Sequence, residues 1–277
     1  MSWYALEVHP NADRRDAVAA WLVGRTGQAV EERADGTLVS FALTMPAAES
    51  LERDLVRELG PGIAVARREH PEVDWTVAWR EGLGVRRVGR FAIAPSWLGY
   101  QPAPGEELIV IDPEMAFGSG EHGSTRAALI LLDRFARPGD TVLDLGSGSG
   151  ILSIAAAKLG AAQAIGIEVD GDTLPYAAMN AERNGVAGRV VFLEGDAAEL
   201  TPLVAPADVI VANILRLINI ALLPEIHAAL RPGGVAIFSG METAEAGQFR
   251  PALEEEGFRV VAEVTDETWW AVAAAPV

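Results

Sequence analysis

Apolar residues fall along this chain in two rhythms, short near-continuous runs and stripes at helical spacing, and the two alternate. Runs at Val142–Leu145, Ala164–Val169, Val190–Leu193, Val209–Ala212 and Val235–Phe238 predict strands. Segments 151–158, 172–183, 217–230 and 244–256 between them carry the helical period. Strands that are apolar throughout and separated by helices predict a parallel sheet covered on both faces. Two further strands, Phe258–Val264 and Thr268–Ala273, place one antiparallel strand in that sheet.

The first 70 residues have a different pattern. Trp3–Val8 reads as a strand and Asp13–Val23 as an amphipathic helix. Strands at Ala29–Glu32 and Leu38–Leu43 flank Asp35-Gly36, a favoured hairpin turn. Helix Glu49–Leu59 ends at Gly60-Pro61-Gly62, and Ile63–Arg67 is a last strand. This β-α-β-β-α-β order predicts a small ferredoxin-like α+β domain over 1–70, with one sheet face left to dock something. Residues 71–105 read as a connector, in which Trp75 and Trp79 share a face of a short helix and Val88–Ala94 is a strand. Residues 106–277 then form the α/β domain.

The most informative stretch is Thr141-Val142-Leu143-Asp144-Leu145-Gly146-Ser147-Gly148-Ser149-Gly150. A strand runs through three alternating glycines straight into a helix, which predicts a nucleotide-type ligand at the strand's carboxyl end. A dinucleotide fingerprint would need its third glycine at position 151, which is Ile151. An acid two residues before the first glycine disfavours a diphosphate and suits a ligand carrying an ammonium and a sulfonium, as S-adenosylmethionine does. We therefore place Asp144, Gly146, Gly148 and Gly150 at the cofactor. Glu168, with Asp170 second, follows the loop at the spacing of a ribose-binding acid. Asp170 also fits a helix cap. Asp196, after the third strand, can accept from an adenine amine or belong to a solvated turn. Asn213 ends the fourth strand beside the same crevice; its uncharged amide can orient an amine toward a methyl group, or cap the next helix.

Composition narrows the class. The chain has 277 residues, no cysteine and a net charge of −17. Thiolate nucleophiles, disulfides and cysteine-bound metals are excluded, and no clustered metal ligands are apparent. No apolar run approaches the about 20 residues of a membrane-spanning helix, and no basic segment precedes an apolar one at the N-terminus, so a cytoplasmic protein is expected. Most of the acidic excess lies in residues 101–277. Such a surface repels a phosphate backbone and attracts a basic partner, or simply maintains solubility.

Asp112-Pro113-Glu114-Met115-Ala116-Phe117-Gly118-Ser119-Gly120-Glu121-His122-Gly123-Ser124-Thr125, just ahead of the helix that precedes the glycine loop, resembles the A-F-G-T-G-x-H-x-T-T signature of the ribosomal protein L11 methyltransferase family. That family lies within the seven-strand, Rossmann-like methyltransferase superfamily. Similarity extends over 70–277 and includes Trp79-Arg80 and Pro95-Ser96-Trp97; the first domain matches in pattern more than in residues. The resemblance implies cofactor contacts at Thr125, Gly146, Glu168 and Asn213 and an aromatic contact from Phe117. It also implies methyl transfer to lysine and N-terminal amines of a small basic ribosomal protein, with Asn213 positioning the amine and the first domain docking the substrate. His122 alone reads as structural. Ser119 and Ser124 stand where the family has threonine, Glu168 where aspartate is usual, and Glu121 adds charge at the cofactor entrance. A base methyltransferase is disfavoured, because Asn213-Ile214-Leu215-Arg216 lacks the prolines and aromatic of a stacking platform. Another protein or small-molecule substrate, a cofactor-binding regulator without turnover and a nicotinamide dehydrogenase are the remaining readings. Direct nucleic-acid binding is not expected, and the chain is expected to be a monomer.

Overall fold

A computed structural model of the chain describes residues 3–26, 30–33, 35–42, 44–60, 63–70, 84–112 and 122–277. The paired Trp75 and Trp79, together with Phe117, Ser119 and Glu121, lie outside the described residues. The chain divides into two compact units, 1–82 and 83–277.

In the first unit β1 (Trp3–His9), α1 (Arg15–Thr26), β2 (Glu31–Glu32), β3 (Leu38–Ala42), α2 (Met45–Leu59) and β4 (Ala64–His70) follow the expected order. The sheet runs β2-β3-β1-β4, with every pairing antiparallel. The Asp35-Gly36 turn closes as its residues require. Gly36 takes a φ of 83°, and the Asp35 carboxylate accepts from the Thr37 N–H at 2.9 Å. Leu6 and Val8 pack with Val18 and Leu22 of α1 and with Leu51 and Leu55 of α2. Helix α2 starts four residues before Glu49, because the Thr44 hydroxyl caps it and Pro46 fits its first turn.

The second unit opens with β5 (Arg86–Val88), β6 (Phe91–Ala94) and β7 (Glu107–Val110) in a small sheet. Val88–Ala94, expected as one strand, is broken by a turn at Gly89-Arg90, where Gly89 has a φ of 56°. The large sheet follows, with α3 (Gly123–Phe135), β8 (Thr141–Leu145), α4 (Ile151–Lys158), β9 (Gln163–Glu168), α5 (Leu174–Arg183) and β10 (Val190–Glu194). It continues with α6 (Ala197–Val204), β11 (Ala207–Asn213), α7 (Arg216–Ala221), α8 (Leu223–Ala229), β12 (Leu230–Glu242), α9 (Ala246–Glu255), β13 (Phe258–Asp266) and β14 (Trp269–Pro276).

The strand order is β10-β9-β8-β11-β12-β14-β13, parallel except for β14. Neighbouring residues on a strand feed opposite layers. Val142 and Val211 pack under α3 and α4, while Leu143 and Ile210 pack under α8 and α9. This two-sided burial is why the strands are apolar throughout. Among the described residues no helix is long and apolar enough to cross a membrane.

A helix side chain ties the small sheet to the layer that covers the large one. Asn184, at the end of α5, accepts from the Val110 N–H at 2.8 Å and donates to the Val110 carbonyl at 2.7 Å. Its amide also donates to the Asn180 carbonyl, and Asn180 in turn donates to the Ser149 carbonyl in the glycine loop. Asn184→Ala would leave both Val110 groups unpaired. A loss of about 2–4 kcal/mol is expected in urea unfolding, with an unchanged denaturant slope.

Candidate active site

The middle strands β9, β8 and β11 run in the same direction, so their carboxyl ends lie side by side. In open α/β sheets that crevice is where ligands bind. Gly146, Gly148 and Gly150 adopt left-handed φ values of 75°, 50° and 80°, which strain any side chain. Two of them also lack space. A Cβ on Gly146 would come within 2.4 Å of Ile214, and one on Gly150 within 2.6 Å of the Phe192 ring. The loop is tied down to β9: Gly146 and Ser147 donate their N–H groups to the Ile167 carbonyl at 2.8 and 3.1 Å. Gly148 donates to Glu168 Oε2 at 2.9 Å, while Oε1 of the same carboxylate accepts from Val169 and Asp170.

A cavity of about 680 Å³ opens over this loop, large enough for a nucleoside-sized ligand. Thr125, Gly146, Gly148, Glu168, Asp196 and Asn213 line it together. Gly150 does not; it begins α4, pressed against Phe192. Asp170 is also outside the lining and caps the turn that leads into α5.

Asp144 requires a correction. Its side chain is buried beneath the loop and does not reach the cavity. Oδ2 accepts from the Ser153 N–H and hydroxyl at 3.0 and 2.7 Å, pinning the first turn of α4, and Oδ1 has no partner. Burial pushes this carboxyl up to about 6, against the lowering effect of the Ser153 bonds and with a smaller push from the nearby Glu168 charge. Asp144 is therefore a support of the loop.

Asp196 both lines the cavity and caps α6, its Oδ1 accepting from the Ala198 N–H at 2.7 Å. Helix α6 was missing from the sequence reading, which took Asp196 as ligand or turn. At the end of β11, the Asn213 amide donates to the Thr125 hydroxyl at 3.2 Å, and its buried Oδ1 has no protein partner. The two residues come from elements 88 positions apart and meet at one point in the cavity.

The sequence reading also missed the aromatic wall. Trp269 lines the cavity and its ring lies 4.1 Å from that of His122, centroid to centroid. His122 Nδ1 bonds the Ser124 hydroxyl at 2.7 Å. Burial and the Arg126 charge hold the imidazole below its usual range, toward neutrality, with Glu267 opposing them weakly. Arg126 pairs with Asp266 and Glu267, which brings the β13–β14 turn against the start of α3. The only sequence signal for this contact is Gly123, where a Cβ would come within 2.6 Å of Trp269.

The raised Asp144 carboxyl fixes the sign of a pH effect. The folded chain holds this proton up to about pH 6, whereas the unfolded chain releases it near the ordinary 3.8. The contribution is thus full below about pH 4 and lost as pH rises through about 6. Asp144→Asn has no such dependence. Its stability relative to the parent should improve by about 3 kcal/mol between pH 4 and pH 7, measured by urea unfolding at each pH.

Comparison with known proteins extends these observations. Residues 28–276 match the family model described as ribosomal protein L11 methyltransferase (PrmA). The ribosomal protein L11 methyltransferase of Pelotomaculum thermopropionicum is 43% identical over 228 residues, 82% of this chain and 73% of the relative. That of Bacillus cytotoxicus is 32% identical, with 99% of each chain covered. The crystal structure of the ribosomal protein L11 methylase from Lactobacillus delbrueckii subsp. bulgaricus superposes with a TM-score of 0.64 at 32% identity, covering 69% of this chain and 98% of the other. With a seven-stranded sheet carrying one antiparallel strand, a glycine loop at its centre and these relatives, the chain belongs to the ribosomal protein L11 methyltransferase family.

Proposed function

We propose that the chain methylates lysine and N-terminal amines of ribosomal protein L11, using S-adenosylmethionine, and that Asn213 holds the accepting amine. The observation that carries the reading is the unpartnered Asn213 Oδ1, buried in a cavity whose glycine floor admits no side chain. A buried acceptor without a donor costs about 1–3 kcal/mol, which a bound amine or ammonium would relieve.

The residues fit the cofactor. Glu168 has three N–H donors on a carboxylate with roughly four acceptor positions, so capacity remains for a ribose hydroxyl. Asp196 carries a second oxygen beyond the one that caps α6, suited to an exocyclic amine. The Thr125 hydroxyl, beside Asn213, suits the cofactor's amino-acid end. Phe117 retains the sulfonium-side role that the signature implies.

When bound, the cofactor supplies a methyl group already activated on sulfur. The protein's task is alignment and exclusion of water. Asn213 accepts from the amine N–H and so aims its lone pair. The amine must arrive neutral, and its proton after transfer goes to water, so no strong base is needed. The net charge of −17 favours a basic protein substrate, and the first unit is its docking module. The enzyme is proposed to act in the cytoplasm as a monomer.

Incubation with purified L11 and cofactor should raise the substrate's intact mass in whole methyl steps; an unchanged mass with cofactor bound would refute the substrate assignment. Asn213→Ala should lower kcat by at least about 100-fold while the melting temperature stays close to that of the parent.

A further inference from the structure

Helix α7 is inverted with respect to its surroundings. Leu217 faces solvent at 68% exposure and Ile218, at 50%, the open cavity, whereas the polar Asn219 is its one buried residue, at 0%. An amide in that position has a cost, because its Oδ1 is among the buried atoms without a partner. Its nitrogen makes two bonds, to the Ile214 carbonyl and to the Ser239 carbonyl, each at 3.0 Å. Both neighbours are acceptors, so the amide orientation is fixed by chemistry.

The two bonds reach both sides of Asn213. Ile214 is the next residue in the chain. Ser239 lies beside Asn213 in the parallel register of β11 and β12, and its hydroxyl donates to the Ser124 carbonyl at 2.8 Å, one residue before Thr125. Gly240, next to Ser239, lets the Ile214 backbone pack so closely that a Cβ there would come within 2.4 Å of the Ile214 oxygen. A continuous set of contacts therefore runs from Asn219 to both partners of the Asn213–Thr125 hydrogen bond.

We infer that Asn219 is a positioning residue for methyl transfer, a clamp that fixes Asn213 relative to Thr125. The inference rests on the reaction proposed above. Asn219 does not itself line the cavity and acts through the Ile214 and Ser239 carbonyls.

Asn219→Leu keeps the volume and removes both donors. With L11 as substrate, kcat is expected to fall on the order of 100-fold, the scale of an approximately 1 Å misplacement of a reacting group. Cofactor Kd, measured by calorimetry, should change less than about threefold, because Asn219 bonds neither the glycine loop nor Glu168 directly. A kcat within about threefold of the parent, or a Kd that weakens in step with kcat, overturns the inference. Should Asn219→Leu fail to melt cooperatively, Asn219→Ser retains one donor and carries the same readings, with an intermediate fall in kcat expected. A parent enzyme that transfers no methyl group counts against the reaction and takes this inference with it. An active parent beside an equally active variant counts against the clamp alone.

Discussion

Close backbone contact at the ends of three parallel strands is the constraint on which the site depends. The glycine loop after β8 lies against Ile214 on one side and Phe192 on the other, at separations that leave room only for hydrogen at Gly146 and Gly150. Ile214 is in turn pressed onto the backbone at Gly240. Cavity, loop and Asn213 are therefore set by one packed layer, in which a methyl group in the wrong place displaces a strand end. The glycines are required twice over, for their φ and for their lack of volume.

Much of the fold was legible because one signal dominates it. A strand buried on both faces has to be apolar at every position, and the parallel strands of the large sheet were found near their observed limits, except β12, which runs well beyond Val235–Phe238 at both ends. The small first-unit hairpin was equally legible, since Gly36 supplies the left-handed residue that its turn needs. The failures have local causes. Helix α6 is short, and its start was masked by the chemical interest of Asp196, an acid that serves as both cap and cavity wall. Gly89 divides β5 from β6 with no proline or polar cluster to announce the turn. The His122–Trp269 contact joins residues far apart in the chain, and the Asn219 clamp turns on a buried amide that the local pattern does not announce, so neither was read from the sequence.

Asp144 shows a misreading that strand geometry could have prevented. Side chains on a strand alternate, so Asp144 shares a face with Val142, which packs under α3 and α4. A residue on that face two places before the loop lies under the start of α4, and the Ser153 bonds place it there. The glycine motif marks the cavity where the cofactor is proposed to bind. The acid inside the motif belongs to the loop's foundation, where its charge is held out of water.

The position of β14 has a consequence for assembly. This strand follows β13 in the chain but lies between β12 and β13 in the sheet, so β13 has nothing to pair with until β14 is in place. Leaving the helix-by-helix growth of the parallel half, the final hairpin has to enter as a unit, and it brings Trp269 to the cavity with it. Closure of the pocket is thereby tied to the docking of that hairpin, which Arg126 fastens to the start of α3 through Asp266. A chain with an incomplete sheet would present an open crevice, without the aromatic side on which His122 rests.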